Sequence, residues 1–171
     1  MQITLISFAV SVLISLLTSG VLPKANVVVA ILLLIAFVLI GILFDIVGIA
    51  VTAGNEAPFH AMATKRVKGA KNAVFLIRNA EKVSNVCNDV VGDVAGIVSG
   101  ATTALVVAEL AQAYGLNSVY LSLMLTGSVA ALTIGGKGFG KSIAIGYPNK
   151  IIFIVARIMC LFSKPFGKEG K

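Results

Sequence analysis

The stretch NVVVAILLLIAFVLIGILFDIVGIAVTAG, residues 26–54, decides the fold because its only charged side chain is Asp45. A helix of roughly 20 such residues crosses the hydrocarbon core of a bilayer. Three further stretches are long and apolar enough to do the same, at residues 3–22, about 83–112, and 116–135. The sequence therefore predicts an all-α membrane protein with four transmembrane helices.

The composition agrees with a membrane protein. The chain is 58% hydrophobic and 12% charged, whereas roughly a quarter of the residues in a soluble domain are charged. Residues 3–22 lack a basic leader, and their apolar run exceeds the roughly 7–15 residues of a signal peptide. We therefore expect this helix to be retained. Cys87 and Cys160 provide no disulfide framework.

Residues 57–82, which follow the second predicted span, contain basic side chains that alternate with apolar ones at helical spacing. This pattern is typical of interfacial helices that lie in the headgroup layer, and a second such helix is predicted at about 148–166. Of the 14 lysines and arginines, all but Lys24 lie between the second and third spans or after residue 136. The positive-inside rule then places both regions and both termini in the cytoplasm, at a plasma (inner) membrane. The net charge of +7 needs no nucleic acid to explain it.

Polar side chains inside the predicted spans indicate a functional site. Asp89 and Asp93 are four residues apart and share one helix face, with Asn85 and Asn88 close by, and Asp45 interrupts the second span. A charged side chain at the bilayer centre costs at least about 2.5–3.5 kcal/mol on insertion scales. Carboxylate and amide oxygens suit a hard cation such as Mg²⁺ or Na⁺. The predicted ligands of the cation are Asn55, Asn85, Asn88, Asp89 and Asp93, and Asp45 is predicted to act as a relay or second site.

Other chemistries find little support in the sequence. No nucleophile–base pair can be assembled, so an enzyme is not expected. His60 is expected to be a spectator in the headgroup layer. The glycine-rich stretch IGGKGFGKS, residues 134–142, lacks the spacing of a phosphate-binding loop, and we expect its glycines to permit a helix break and a close backbone approach.

Small residues at four-residue intervals, Gly92, Gly96 and Gly100, continue through Ala104 and Ala108. Such a stripe lets two membrane helices approach closely. The partner is either another helix of this chain or the same stripe in a second copy, and the second option predicts a homodimer.

Two sequence blocks resemble the transmembrane domain of the CNNM/CorC family of magnesium transporters. Residues 134–166, IGGKGFGKSIAIGYPNKIIFIVARIMCLFSKPF, resemble the family's F-G-E-x-x-P-K-S-x-A motif with the following Y/N-P-E/N-K/R turn and apolar interfacial helix. Residues 53–83, AGNEAPFHAMATKRVKGAKNAVFLIRNAEKV, look like its S-G-S-E-T-A-x-x-S segment and the basic helices after it. The resemblance implies that residues 25–171 form a domain with three core spans and an amphipathic belt, and that residues 1–24 are an additional N-terminal helix before it. It also implies a homodimer in which each protomer holds a dehydrated Mg²⁺. The family's cytoplasmic CBS-pair domains are not expected in a chain that stops at Lys171.

The chain departs from the family motifs at the residues that would bind the ion. The S-G-S-E positions hold Ala53, Gly54, Asn55 and Glu56, and the two asparagines of the family's G-N-N fall on Val91 and Gly92. The family's glutamate before P-K falls on Lys137, so an ammonium replaces a carboxylate.

This reversal leaves two functions open. In the first, the protein transports a hard cation through a cytoplasm-facing polar cavity, and Lys137 points to the headgroups. In the second, the ammonium of Lys137 lies between Asp89 and Asp93 in place of a metal ion. The protein is then a non-transporting membrane scaffold or regulatory subunit for a membrane or cytoplasmic partner.

Overall fold

The computed structural model describes residues 8–9, 11–12, 16 and 26–162. Positions 8, 9, 11, 12 and 16 are helical, and the rest of the helix predicted over 3–22 lies outside the described residues. The same holds for residues 163–166 of the predicted C-terminal helix. The described part of the chain is all-α.

The helices follow one another with short connections. They are α1 (Val27–Ala53), α2 (Ala57–Thr64), α3 (Ala70–Arg78), α4 (Ala80–Asn85), a π-helical segment (Val86–Gly92), α5 (Asp93–Tyr114), α6 (Ser118–Gly146) and α7 (Pro148–Phe162). Three helical units are long and apolar enough to cross a membrane: α1, the continuous unit Ala80–Tyr114, and α6. They agree with the second, third and fourth predicted spans. Helix α1 is central, because it packs against both α5 and α6.

The connection between α5 and α6 is a tight turn at residues 115–117. Gly115 ends α5 in the left-handed region with φ of 64°, a conformation that glycine adopts without steric cost. The side chain of Asn117 then caps α6 by accepting a hydrogen bond from the Val119 amide at 3.0 Å.

Helix α6 does not break at its glycines, and the predicted break was wrong. The helix continues through residues 134–142 to Gly146. A Cβ atom built at Gly140 would lie 2.6 Å from Ile46 Cγ1 on α1, and one at Gly136 would collide with Ile42. These glycines therefore provide close packing between α6 and α1.

The basic region after α1 consists of α2, α3 and α4 separated by turns, so it is not one continuous helix. Arg66 and Gly69 both have positive φ, which interrupts the helical hydrogen bonding between α2 and α3. Gly69 also lies against the backbone of α7, where a Cβ atom would be 3.2 Å from Arg157 Cα. Helix α4 joins the second spanning unit.

The main core lies at the end of the molecule where α1 and α6 finish. The basic region of residues 57–82, which we call the belt, begins at this end. The fully buried members of the core come from α1, α2, α3, α6 and α7: Ala50, Val51, Phe59, Ala73, Leu76, Ala144, Ile152 and Ala156. The other ends of α1 and α6 expose many large apolar side chains, among them Leu32, Ile35 and Leu123. Such surfaces suit contact with lipid.

Candidate functional site

Three helical units meet at a cluster of polar and glycine residues, which we call the polar junction. It consists of Asp45 and Gly48 on α1, Asn88 and Gly92 on the π-helical segment, and Lys137 on α6. The Nζ atom of Lys137 lies 3.9 Å from Oδ1 of Asp45, and their side chains are 32% and 16% exposed. This distance is an ion-pair contact and is too long for a hydrogen bond.

Gly92 lies beside the lysine ammonium. It is buried, and a Cβ atom on it would lie 3.6 Å from Lys137 Nζ. The ammonium therefore lies between α1 and the π-helical segment, at the end of a side chain that starts on α6. The predicted position of Lys137 between Asp89 and Asp93 is not observed, since its partner is Asp45.

Asn88 enters the junction from the same segment and packs against Gly48. A Cβ atom on Gly48 would collide with Asn88 Oδ1 and would lie 2.8 Å from its Cγ. The amide nitrogen of Asn88 donates to Ser84 Oγ at 3.1 Å. Its Oδ1 is buried and has no hydrogen-bond partner among the described residues. Buried polar atoms are nearly always paired, so an orphaned oxygen calls for an explanation such as an ion or water.

The π-helical segment itself is a further indication of function. A π-helical turn inside an α-helix is rare and is frequently found at functional sites. Here it carries Asn88, Asp89 and Gly92. Its wider turn changes which residues face α1, so the face cannot be read from a regular helical period.

Asp89 and Asp93 point away from the junction. Both are exposed, and neither makes an ion pair with any described residue. They share their face with Gly96 and Gly100, which have open space around them. Gly92 is buried instead, so it lies apart from the small-residue stripe to which the sequence assigned it.

The remaining predicted ligands have local structural roles or lie elsewhere. Asn55 accepts a hydrogen bond from the Ala57 amide at 3.0 Å, which begins α2, and its own N–H donates to Asn149 Oδ1 at 2.9 Å. Asn85 is partly buried at the end of α4 and makes no side-chain hydrogen bond to a described residue. The structure therefore does not assemble the five predicted ligands into one site. The described residues contain no group of three or more His, Cys, Asp or Glu side chains that could hold a metal ion.

Glu56 forms a separate cluster at the start of α2. Its Oε1 accepts hydrogen bonds from Arg78 Nε and His60 Nε2, both at 2.6 Å. The Arg78 hydrogen bond, followed by that of His60, holds the pKa of Glu56 below its ordinary value. His60 is thus a partner of Glu56, a contact that the sequence reading did not foresee.

Comparisons of the chain with protein-family models, with curated proteins and with solved structures find no match. The function is therefore inferred from the geometry of the polar junction. The sequence predicted that Asn88 and Lys137 lie at one level of the membrane, but it assigned Asp45 to a separate relay or second site and did not indicate Gly48. The available signal was the spacing of Asp45 and Gly48, three residues apart on one face of α1.

Proposed function

We propose that this protein is an integral membrane protein that binds and transports a hard cation, Mg²⁺ first and Na⁺ second, at the polar junction. The observation that carries the proposal is the buried Oδ1 of Asn88, which lacks a hydrogen-bond partner among the described residues. It lies in the same junction as the carboxylate of Asp45. An amide oxygen and a carboxylate oxygen are the hard ligands that Mg²⁺ and Na⁺ prefer.

The number of protein ligands is small, and this fits the chemistry of magnesium. Mg²⁺ gives up its water shell reluctantly and is usually bound by one or two carboxylates with several waters retained. Asp45 supplies the charge in this proposal, and Asn88 supplies a neutral oxygen. The five-residue ligand set predicted from the sequence is therefore replaced by this pair.

Lys137 takes the role of a tethered positive charge. Its 3.9 Å contact with Asp45 compensates the carboxylate while no metal ion is bound. An arriving cation would compete for the same carboxylate, and the flexible lysine stem can carry the ammonium toward the membrane surface. The junction thus keeps a positive charge beside Asp45 in both states.

The location of the protein follows from its helices and its charges. Three helical units are candidate membrane spans, and the basic residues cluster on the belt and after Gly136. The positive-inside rule puts that end of the protein in the cytoplasm. Residues 53–83 and 134–166 resemble the CNNM/CorC transmembrane domain in sequence, and the cargo proposed here is of the class that this resemblance implies.

A homodimer is the oligomeric form that best uses the exposed face of α5. Gly96 and Gly100 lie on that face with nothing packed on them, and Ala104 and Ala108 are exposed there as well. Small residues of this kind allow close contact between two membrane helices. Cysteine cross-linking should join two copies through Ala104→Cys but not through Met124→Cys, an exposed position on α6. Equal cross-linking at both positions would exclude this interface.

A second candidate function is a non-transporting membrane subunit, and one observation favours it specifically. Lys137 already pairs with Asp45, so the carboxylate has a counter-charge without any metal ion. In this alternative the core retains the shape of a transporter and serves as a scaffold for a partner protein.

Cation flux in proteoliposomes separates the two candidates. If the protein is a transporter, Mg²⁺ added outside enters the vesicles and changes the signal of a magnesium-sensitive dye trapped inside. Asp45→Asn and Asn88→Leu should abolish this Mg²⁺ flux. Asp89→Asn is the matched control, since it removes a carboxylate outside the junction and should retain most of the flux. Absence of Mg²⁺ and Na⁺ flux from the folded wild type would refute transport and leave the scaffold.

A further inference from the structure

An apolar groove of about 710 Å³ opens at the belt end of the molecule. Its walls come from α1, α3, α7 and the start of the second spanning unit, with Phe44, Phe75, Val86 and Ile158 among the lining residues. This volume lies within the range of about 300–1,000 Å³ that is typical of small-molecule sites. The groove is separate from the polar junction, and its occupant is independent of the proposed transport.

The groove reaches from the hydrocarbon depth of the membrane to the headgroup level. Phe44 and Val86 belong to spanning units, whereas Phe75 lies on α3 in the basic belt. Asn79 and Lys82 complete the lining at the belt side. The alkyl stem of a lysine can lie along an apolar wall while its ammonium extends to the headgroups.

The positive charge at the headgroup end of the groove favours an anionic occupant. Lys82 is exposed and makes no ion pair within 4.0 Å among residues 26–162. Lys65, Arg66 and Lys68 also lie exposed on the same belt, and basic residues near an anionic membrane surface attract its lipids. An acyl chain matches the apolar wall, and a phosphate matches the ammonium.

We propose that the groove binds one anionic glycerophospholipid, with an acyl chain between α1 and α3 and the headgroup phosphate at Lys82. A neutral, zwitterionic lipid fills the apolar part but lacks the net charge that Lys82 selects. Free inorganic phosphate reaches Lys82 but gains nothing from the apolar wall. The proposal therefore predicts a preference for phosphatidylglycerol over both.

Native mass spectrometry of the full chain, titrated with phosphatidylglycerol, phosphatidylcholine or inorganic phosphate, tests the headgroup. Phosphatidylglycerol should bind most tightly, and Lys82→Ala should weaken it about fivefold, the equivalent of one lost basic contact. Lys65→Ala is the control, because Lys65 is exposed on the belt but does not line the groove. Equal losses in the two variants, or equal binding of the two lipids, would overturn the proposal.

Photo-cross-linking in phosphatidylglycerol nanodiscs tests the acyl chain. Phe75→p-benzoylphenylalanine places a reactive ketone in the groove, and the cross-linked product should carry the mass of one phospholipid. The same substitution at Ile134, an exposed apolar position on α6, should give no single dominant lipid product. Cross-links from position 75 to another segment of this chain or to a second copy would show a different occupant and overturn the assignment.

Discussion

The ammonium of Lys137 on α6 lies 3.9 Å from the carboxylate of Asp45 on α1. Both residues lie within helices that are long and apolar enough to cross a membrane. A charge in such a position is costly unless an opposite charge or polar group lies beside it. The pair therefore ties two spanning helices together at the level of the π-helical segment.

Removal of the Lys137 charge should show how much the stability of the protein depends on this ion pair. We expect Lys137→Met to lower the free energy of unfolding by about 1–3 kcal/mol, because Asp45 loses its counter-charge while remaining partly buried. Thermal unfolding in detergent without divalent cations measures the effect. Lys141→Met is the control, since Lys141 is exposed one turn further along α6.

The double variant Asp45→Asn/Lys137→Met should lose less free energy of unfolding than the two single variants lose together. Removal of both charges leaves no uncompensated ion, so the double-mutant cycle should give a favourable coupling of about 1 kcal/mol or more. Strict additivity would mean that the 3.9 Å contact contributes nothing.

Gly48→Ala should destabilise the protein by about 1–3 kcal/mol through overpacking. The added methyl group collides with the Asn88 side chain and must push the π-helical segment away from α1. Gly127→Ala, in open space on α6, should be neutral or stabilise by up to about 1 kcal/mol. The pair Gly48→Ala/Asn88→Ala should recover stability, and a Gly48→Ala variant as stable as Gly127→Ala would contradict the packing described here.

The glycines of α6 give a second matched comparison. Gly140→Ala places a methyl group against Ile46, whereas Gly138→Ala points into open space. We expect the first variant to lose about 1–3 kcal/mol of stability and the second to lose none. Ile46→Ala should relieve Gly140→Ala, as measured by the melting temperatures of the single and double variants.

The contact of Glu56 with Arg78 and His60 should make stability depend on acidic pH. The pKa of Glu56 is lowered from 4.5 in the folded protein. Its contribution is therefore complete above pH 4.5 and is lost as the pH falls through the lower, folded-state pKa. The melting-temperature difference between wild type and Glu56→Gln should shrink in that range. Glu81→Gln, at an exposed carboxylate, should show no such change.

The sequence predicted the spanning helices because hydropathy and length alone determine whether a segment can cross a bilayer. Residues 26–54, 83–112 and 116–135 all coincide with helical units of the structure. The end of α6 could not be predicted in the same way, since the glycines of residues 134–142 weaken a helix in isolation. Their value appears only when Ile42 and Ile46 of α1 pack against them.

The candidate site was harder to predict because it depends on helix rotation. Asp89 and Asp93 form the more obvious acidic pair, yet both face outward, and the single Asp45 faces Lys137. Gly92 is buried, whereas Gly96 and Gly100 are exposed. The π-helical segment adds to the difficulty, because its wider turn moves Asn88 and Asp89 from the positions that a regular α-helical period gives.

The most direct test of the central claim, that the polar junction requires a positive charge beside Asp45, is the effect of Mg²⁺ on the thermal unfolding of Lys137→Met. We predict that this variant melts below wild type without divalent cations and that Mg²⁺ restores much of the loss. Restoration should disappear when Asp45→Asn is added. The claim would be contradicted if Lys137→Met had the same melting temperature as wild type and if Mg²⁺ did not change that temperature.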